Sequence, residues 1–164
     1  MRFEIRHATE QDLPAIVSIY NAAIPGRLAT ADTSEVTIES RKAWFQEHSP
    51  EVRPLWVHLQ KQQVTGWISL NTFYDRPAYQ KTVEVSLYVH PAYQRQGIGK
   101  RLLSRMIEQA PSFQVTTLVG FVFAHNQPSL RLFQSFKFQE WGYCPGIAEL
   151  DGQPKDLVIL GRRV

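Results

Sequence analysis

The stretch Thr82-Val83-Glu84-Val85-Ser86-Leu87-Tyr88-Val89-His90-Pro91-Ala92-Tyr93-Gln94-Arg95-Gln96-Gly97-Ile98-Gly99-Lys100 decides the fold of this 164-residue chain. Its first half is a β-rich run that His90-Pro91 ends. Its second half carries two glycines and leads into Ile98, Leu102, Leu103, Met106 and Ile107, which recur at helical spacing. A helix that starts this way offers unpaired backbone N–H groups and the positive end of its dipole. Glycine lets such a backbone approach an anion closely. Arg95, Lys100 and Arg101 add positive charge, so Gln94, Arg95, Gln96, Gly97, Ile98, Gly99 and Lys100 read as a phosphate or pyrophosphate cradle. Neither a Walker loop nor a G-x-G-x-x-G dinucleotide fingerprint is present.

Outward from this stretch the chain alternates strands and helices. Upstream, Phe3 to Arg6 alternates as a half-buried strand, and Thr9 with Asp12 forms a capping-box variant. Leu13, Ile16, Val17 and Tyr20 then define a helix that Pro25-Gly26 ends. After a polar loop from Arg27 to Val36, Thr37 caps a second helix, Ile38 to about Glu47. Leu55 to Leu59 and Val64 to Phe73 read as strands joined through Gln60-Lys61-Gln62-Gln63. Downstream, Val115 to Phe123 is a strand and Asn126 caps a short helix. Phe138 to Tyr143 and Lys155 to Gly161 are two last strands paired through a turn near Asp151-Gly152. The order β-α-α-β-β-β-α-β-α-β-β predicts one mixed α/β (α+β) domain over 1–164. Its early strands are mostly antiparallel, and one β-α-β unit lies in the middle.

Composition narrows the function. Hydrophobic residues make up 43% and charged residues 20%, ordinary values for a globular domain. The net charge of +3 is mild, and its one dense cluster surrounds the glycine motif. That suits a small polyanion and predicts no nucleic-acid partner. The single cysteine, Cys144, excludes an intramolecular disulfide. No apolar run reaches the length of a membrane span and no signal pattern opens the chain, so a cytoplasmic protein without a membrane partner is expected. His7, His48, His58, His90 and His125 lack ligand spacing, and no metal is predicted.

Gln94-x-x-Gly97-x-Gly99 resembles the acetyl-CoA signature of the GCN5-related N-acetyltransferases (GNAT), and Asn126-x-x-Ser129 resembles that superfamily's second CoA-contacting element. Several further segments are similar to its phosphinothricin acetyltransferase-like branch. They are Ile5 to Thr9, Asp12-Leu13, Ile19-Tyr20-Asn21, Trp44-Phe45, Asp75-Arg76-Pro77-Ala78-Tyr79, Thr82 to Val89 and Asp156-Leu157. The resemblance implies a GNAT fold: a twisted sheet of about seven strands flanked by about four helices, with acetyl-CoA in the splay between the two central strands. It implies acetyl transfer to the amine of a small amino acid or analogue of the phosphinothricin or methionine sulfone type, and a homodimer. Main-chain groups of Leu87, Tyr88 and Val89 would meet the pantetheine arm and acetyl carbonyl, Gln94 to Lys100 the pyrophosphate. Asn126 would hydrogen-bond the pantetheine region, and Ser129 would lie beside the cofactor.

The chemistry needs a base, because an amine must lose a proton as it attacks a thioester. Glu84 is a charged residue inside an apolar strand, on one face with Ser86 and Tyr88. Burial there would raise its pKa usefully; a salt bridge across the sheet is the alternative. Leu132-Phe133-Gln134 stands where many members have Leu-Tyr-Glu, so the tyrosine that protonates the departing thiolate is missing. Tyr88, Tyr143 or water are left to serve. Tyr74, Arg76 and Tyr79 are candidate acceptor contacts. Arg76 could clamp a carboxylate, or could tie its loop to Asp75 or to a partner subunit. The Arg27 to Thr33 loop is the other candidate wall. Two other readings stay open: a protein or peptide N-acetyltransferase, and a CoA-binding module without catalysis.

Overall fold

The computed structural model describes residues 2–164. Seven strands, β1 (Phe3–His7), β2 (Leu55–Gln60), β3 (Gln63–Thr72), β4 (Thr82–Val89), β5 (Thr117–Phe123), β6 (Gln139–Leu150) and β7 (Gln153–Arg163), form one sheet of order β1-β2-β3-β4-β5-β7-β6. Four helices, α1 (Leu13–Ala23), α2 (Ile38–Gln46), α3 (Ile98–Gln109) and α4 (Gln127–Ser135), complete the expected element order. All neighbours pair antiparallel except β4 and β5, which the α3 crossover makes parallel. Among the described residues, no helix is long and apolar enough to cross a membrane.

Around β2–β4 the sheet is covered on both faces, which explains why β2 is buried throughout, including its polar residues His58 and Gln60. One core sets Ile98, Leu102, Leu103 and Met106 of α3 and Leu130 and Phe133 of α4 against Ile68, Val83, Leu118 and Val122. The other sets Ile16 and Ile19 of α1 against Val57, Leu59 and Trp67, with Trp44 of α2 and Tyr88 alongside. Each fully buried side chain contributes roughly 1.5–3 kcal/mol, so the four from α3 alone hold that helix firmly on β3 and β4.

Local signals set most boundaries. Thr37 Oγ1 accepts from Ser40 N at 3.0 Å and starts α2. Asn126 Oδ1 accepts from Ser129 N at 3.3 Å and starts α4. Lys61 and Gln62 both take positive φ, 47° and 65°, so the two-residue hairpin β2–β3 turns without a glycine. Asp151 and Gly152, φ 53° and 74°, do the same for β6–β7. The strand expected to stop at Tyr143 runs on to Leu150, through a register shift between Cys144 and Ala148. Pro145 is tolerated because β6 is the sheet's edge and the bulge absorbs it.

Candidate active site

β4 and β5 pair only at Thr82↔Thr117, Val83↔Leu118 and Glu84↔Val119. Both strands continue beyond that point, and they diverge. The edge of β4 from Val85 to Val89 that faces β5 therefore has no strand partner, while its other edge stays paired with β3. Backbone groups left open in this way need a partner, and an extended ligand can supply one. A cavity of about 450 Å³ fills the split, with Glu84, Ser86 and Tyr88 of β4 in its wall.

At the far end of β4, a 3-10 turn at Pro91–Tyr93 carries the chain to α3. Gly97, the N-cap, adopts φ 78°, a left-handed conformation that glycine takes without strain. No side chain caps this helix and no acid lies in its first turn, so its N–H groups and dipole stay available to an anion. A Cβ on Gly99 would lie 3.3 Å from Leu132 Cδ2 and 3.7 Å from Leu87 Cδ2, so the glycine lets α3, α4 and β4 close up. Gln94, Arg95, Gln96 and Lys100 are exposed around the loop, whereas the Ile98 side chain is buried and leaves only its backbone to a ligand. Arg101 donates from Nη1 to Gln96 O at 2.9 Å and stacks over Phe3, which fixes the loop from behind.

Glu84 sits where the two strands part. Among the described residues its carboxylate has no salt bridge, so the cross-sheet ion pair does not form. Burial pushes its pKa above the ordinary carboxylate value. Tyr88 donates to Ala29 O at 3.0 Å, and its ring stacks on Trp67 at 4.9 Å. Burial raises its pKa well above that of a free phenol. Ser86 Oγ accepts from Asn71 Nδ2 at 3.0 Å.

The loop after α1 straps this cleft. His125 Nε2 bonds Arg27 O at 2.7 Å, Asn126 Nδ2 donates to Leu28 O at 3.1 Å, and Tyr88 holds Ala29. Tyr20 shares a 2.6 Å hydrogen bond with Thr30 Oγ1 and donates to Asp32, and Arg41 Nη2 donates to Asp32 at 3.3 Å. Leu28 to Ala31 thus line the cavity, where the sequence placed an acceptor wall. Asn126 and Ser129 line it too, although Asn126 spends both its polar atoms on the cap and the strap.

Tyr74, Arg76 and Tyr79 do not line the cavity. They lie on the β3–β4 connector, and the two tyrosines connect to the cavity through ring contacts: Tyr74 to Tyr79 at 5.5 Å, Tyr79 to Phe73 at 6.0 Å, and Phe73 to cavity-lining Phe121 at 6.3 Å. Arg76 makes no side-chain hydrogen bond or ion pair with Asp75. Phe133 lines the cavity and packs edge-on to Phe138 at 5.0 Å, over Gly120. Tyr143 is exposed and donates to Asp156, away from the cavity. Sequence reasoning missed Tyr20, Arg41, Trp44 and Trp67 as cavity residues, although Tyr20 and Trp44 lie in segments that carry the family resemblance. Among the described residues, no group of three His, Cys, Asp or Glu side chains is placed to hold a metal ion.

A split between parallel strands, with an uncapped glycine-led helix at its end, suits an extended ligand that carries a phosphate group. The profile of the acetyltransferase (GNAT) family matches residues 14–138, and the chain belongs to that family of N-acetyltransferases. Its full length is similar to the phosphinothricin acetyltransferase-like branch. YwnH of Bacillus subtilis (strain 168), provisionally named a phosphinothricin acetyltransferase, is 48% identical over 161 residues, 98% of each chain. An L-methionine sulfoximine/L-methionine sulfone acetyltransferase of Salmonella typhimurium (strain LT2) is 32% identical over 156 residues, 95% of this chain and 91% of that one. The solved structure of yncA from Salmonella typhimurium with its cofactor acetyl-CoA superposes with a TM-score of 0.92 at 31% identity. It covers 98% of this chain and 93% of that chain.

Proposed function

We propose that the protein transfers acetyl from acetyl-CoA to the primary amine of a small amino acid or analogue of the phosphinothricin or methionine sulfone type, with Glu84 as general base. The observation that carries this reading is the unpartnered Glu84 carboxylate at the vertex of the β4–β5 split, its pKa raised by burial. Bound acetyl-CoA supplies a thioester whose carbonyl carbon the amine attacks, the C–N bond forming as the C–S bond breaks. The open edge at Leu87, Tyr88 and Val89 binds the pantetheine arm and acetyl carbonyl. The loop Gln94 to Lys100 and the start of α3 hold the pyrophosphate, and Ser129 lies beside the arm. Glu84 takes one proton of the ammonium, directly or through one water, and the second N–H proton, lost as the amide forms, goes through water to the departing thiolate. Neither Tyr88 nor Tyr143 replaces the missing acid. Phe133 has no hydroxyl, Tyr88 holds its proton tightly on Ala29 O, and Tyr143 lies outside the cavity. The thiolate therefore leaves without a dedicated protein donor, which its stability as an anion permits.

Purified protein, acetyl-CoA, a thiol reagent for released CoA and a panel of amino acids, amines and peptides test this reading. CoA release with small amino acids is the expected result. Turnover on peptides alone would move the assignment to a protein acetyltransferase, and acetyl-CoA binding without turnover would move it to a binding module.

We also infer a homodimer, the state that the family resemblance implies. It is supported by exposed aromatic residues, Phe121 of β5 and Trp141 of β6 together with Phe73 and Tyr79 of the β3–β4 connector, all more than a third exposed.

A further inference from the structure

Among the residues lining the cavity, Glu84 is the only acid and Arg41 the only basic residue; the rest of the wall is apolar or neutral. Both charges are felt at the hydroxyl of Tyr88. A cavity with one cation and one anion suits a small zwitterion. We propose that Arg41 reads the anionic oxygens of the acceptor, a carboxylate or a phosphinate-type oxoacid, while the amine of the same molecule goes to Glu84. This rests on the acetyltransferase reading above and sharpens it.

The guanidinium is held from several sides. Its carbon lies 4.7 Å from the ring centroid of Tyr20 and 5.7 Å from that of Trp44, within the range of cation–π attraction. Asp32 accepts from Nη2 at 3.3 Å, and Asp32 is itself fixed by the Tyr20 hydroxyl. That partner offsets the cost of keeping a cation three-quarters buried, its side chain being 25% exposed. It also uses only one edge of the fork. Asp32 takes one of the two Nη2 N–H groups; Nε and Nη1 make no hydrogen bond among the described residues, so the second Nη2 N–H and its neighbour on the other edge are left as a two-donor fork for two oxygens of a ligand. Arg76, the cation that the sequence offered for this task, lies outside the cavity.

The inference is tested with Arg41→Gln and Arg41→Lys, each assayed on matched acceptors. One pair is an amino acid against its α-amide. The other is phosphinothricin against methionine sulfone, which is neutral at the side chain. Arg41→Gln should raise KM at least tenfold for the anionic member of one pair, change kcat less, and erase the wild type's preference for it. KM for acetyl-CoA and the melting temperature should stay at wild-type values, and Arg41→Lys should restore part of the preference. Loss confined to the amide pair assigns Arg41 to the α-carboxylate; loss confined to the other assigns it to the side-chain oxoanion; either supports the proposal. Tryptophan fluorescence, from Trp44 beside the guanidinium, reads acceptor binding without turnover. If Arg41→Gln keeps the wild-type KM and preference, or if Arg76→Gln abolishes the preference instead, Arg41 is not the reader. A wild type that acetylates no amino acid refutes the enzyme reading itself and takes Arg41 with it, a result distinct from an active wild type with an indifferent variant.

Discussion

At the scale of single residues, Glu84 and Gly97 carry opposite requirements. Glu84 must be an unpaired carboxylate in a dry place, and burial raises its pKa because the charged form loses hydration. The carboxylate is the working form, so a raised pKa means activity falls on acidification at a higher pH than for an exposed glutamate. The kcat/KM of the wild type should therefore rise with pH through a limb lying above the ordinary carboxylate range. Glu84→Gln should remove that limb and lower kcat by roughly 10²–10⁴-fold, the usual yield of a positioned base. A pH–rate comparison of the two proteins decides it, and a limb that survives in Glu84→Gln belongs to another group. Gly97 must instead reach φ 78° at the N-cap of α3. Valine there carries about 1–3 kcal/mol of backbone strain, relieved only if the loop moves off the anion. Gly97→Val should raise KM for acetyl-CoA tenfold or more at little cost in kcat. An unchanged KM would mean that the cradle does not bind the cofactor.

At the scale of elements, what was legible depended on whether the determining contacts were local. Thr82 to Val89, Thr37 and Asn126 were all read correctly, because a β-rich run bounded by His90-Pro91, or a polar side chain one turn from its N–H partner, is decided within a few residues. The extension of β6 was not legible: Pro145-Gly146 spells a turn, and only the edge position of the strand lets it continue. The cavity wall was half legible for the same reason. Glu84 and the 27–33 loop stood out. Tyr20, Arg41, Trp44 and Trp67 come from α1, α2 and β3, and no sequence spacing brings them together. The strap shows how an element joins both levels. Asn126 caps α4 with Oδ1 and holds Leu28 with Nδ2, so two substitutions separate the roles. Asn126→Ala should lose about 1 kcal/mol from the cap, and with it about 2–4 °C of melting temperature. Asn126→Asp keeps an acceptor for Ser129 N but cannot donate to Leu28 O. It should melt close to the wild type, yet be nicked faster by protease within 27–33, as the alanine variant should be. Equal protease resistance in all three would show that the Leu28 bond does not hold the strap.

At the scale of the whole molecule, one titration and one surface matter. His58 is fully buried on β2, its Nδ1 bonded to Thr65 Oγ1 at 2.7 Å and its Nε2 without a partner. Burial, and then the nearby Arg101, lowers its pKa below the 6.5 of a free imidazole. The unfolded chain therefore binds this proton more readily than the folded one. The stability due to a neutral His58 is complete above about pH 6.5 and is lost as pH falls from there through the folded value. Urea unfolding at pH 7.5 and 5.5 should show the drop, and His58→Leu should flatten it; a wild-type drop of the same size in the variant would place the proton elsewhere. The surface is the β5-β7-β6 part of the face that α1 and α2 cover only over β2–β4. Phe121 stands opposite Ile159 in register, Trp141 lies over Gly161 on the same side, and Phe73 stacks on Phe121. On the other face of β5, Phe133 of α4 fills the space over Gly120, so the asymmetry is built into the packing. A continuous aromatic face of this kind is costly in water and self-complementary about a two-fold axis. Light scattering should give twice the monomer mass for the wild type. Phe73→Glu with Trp141→Glu places two charges on the face without replacing a cavity-lining residue, and should give the monomer mass with the melting transition of a folded chain. A wild type that is monomeric at micromolar concentration would mean that the aromatic face stays exposed and the dimer does not form.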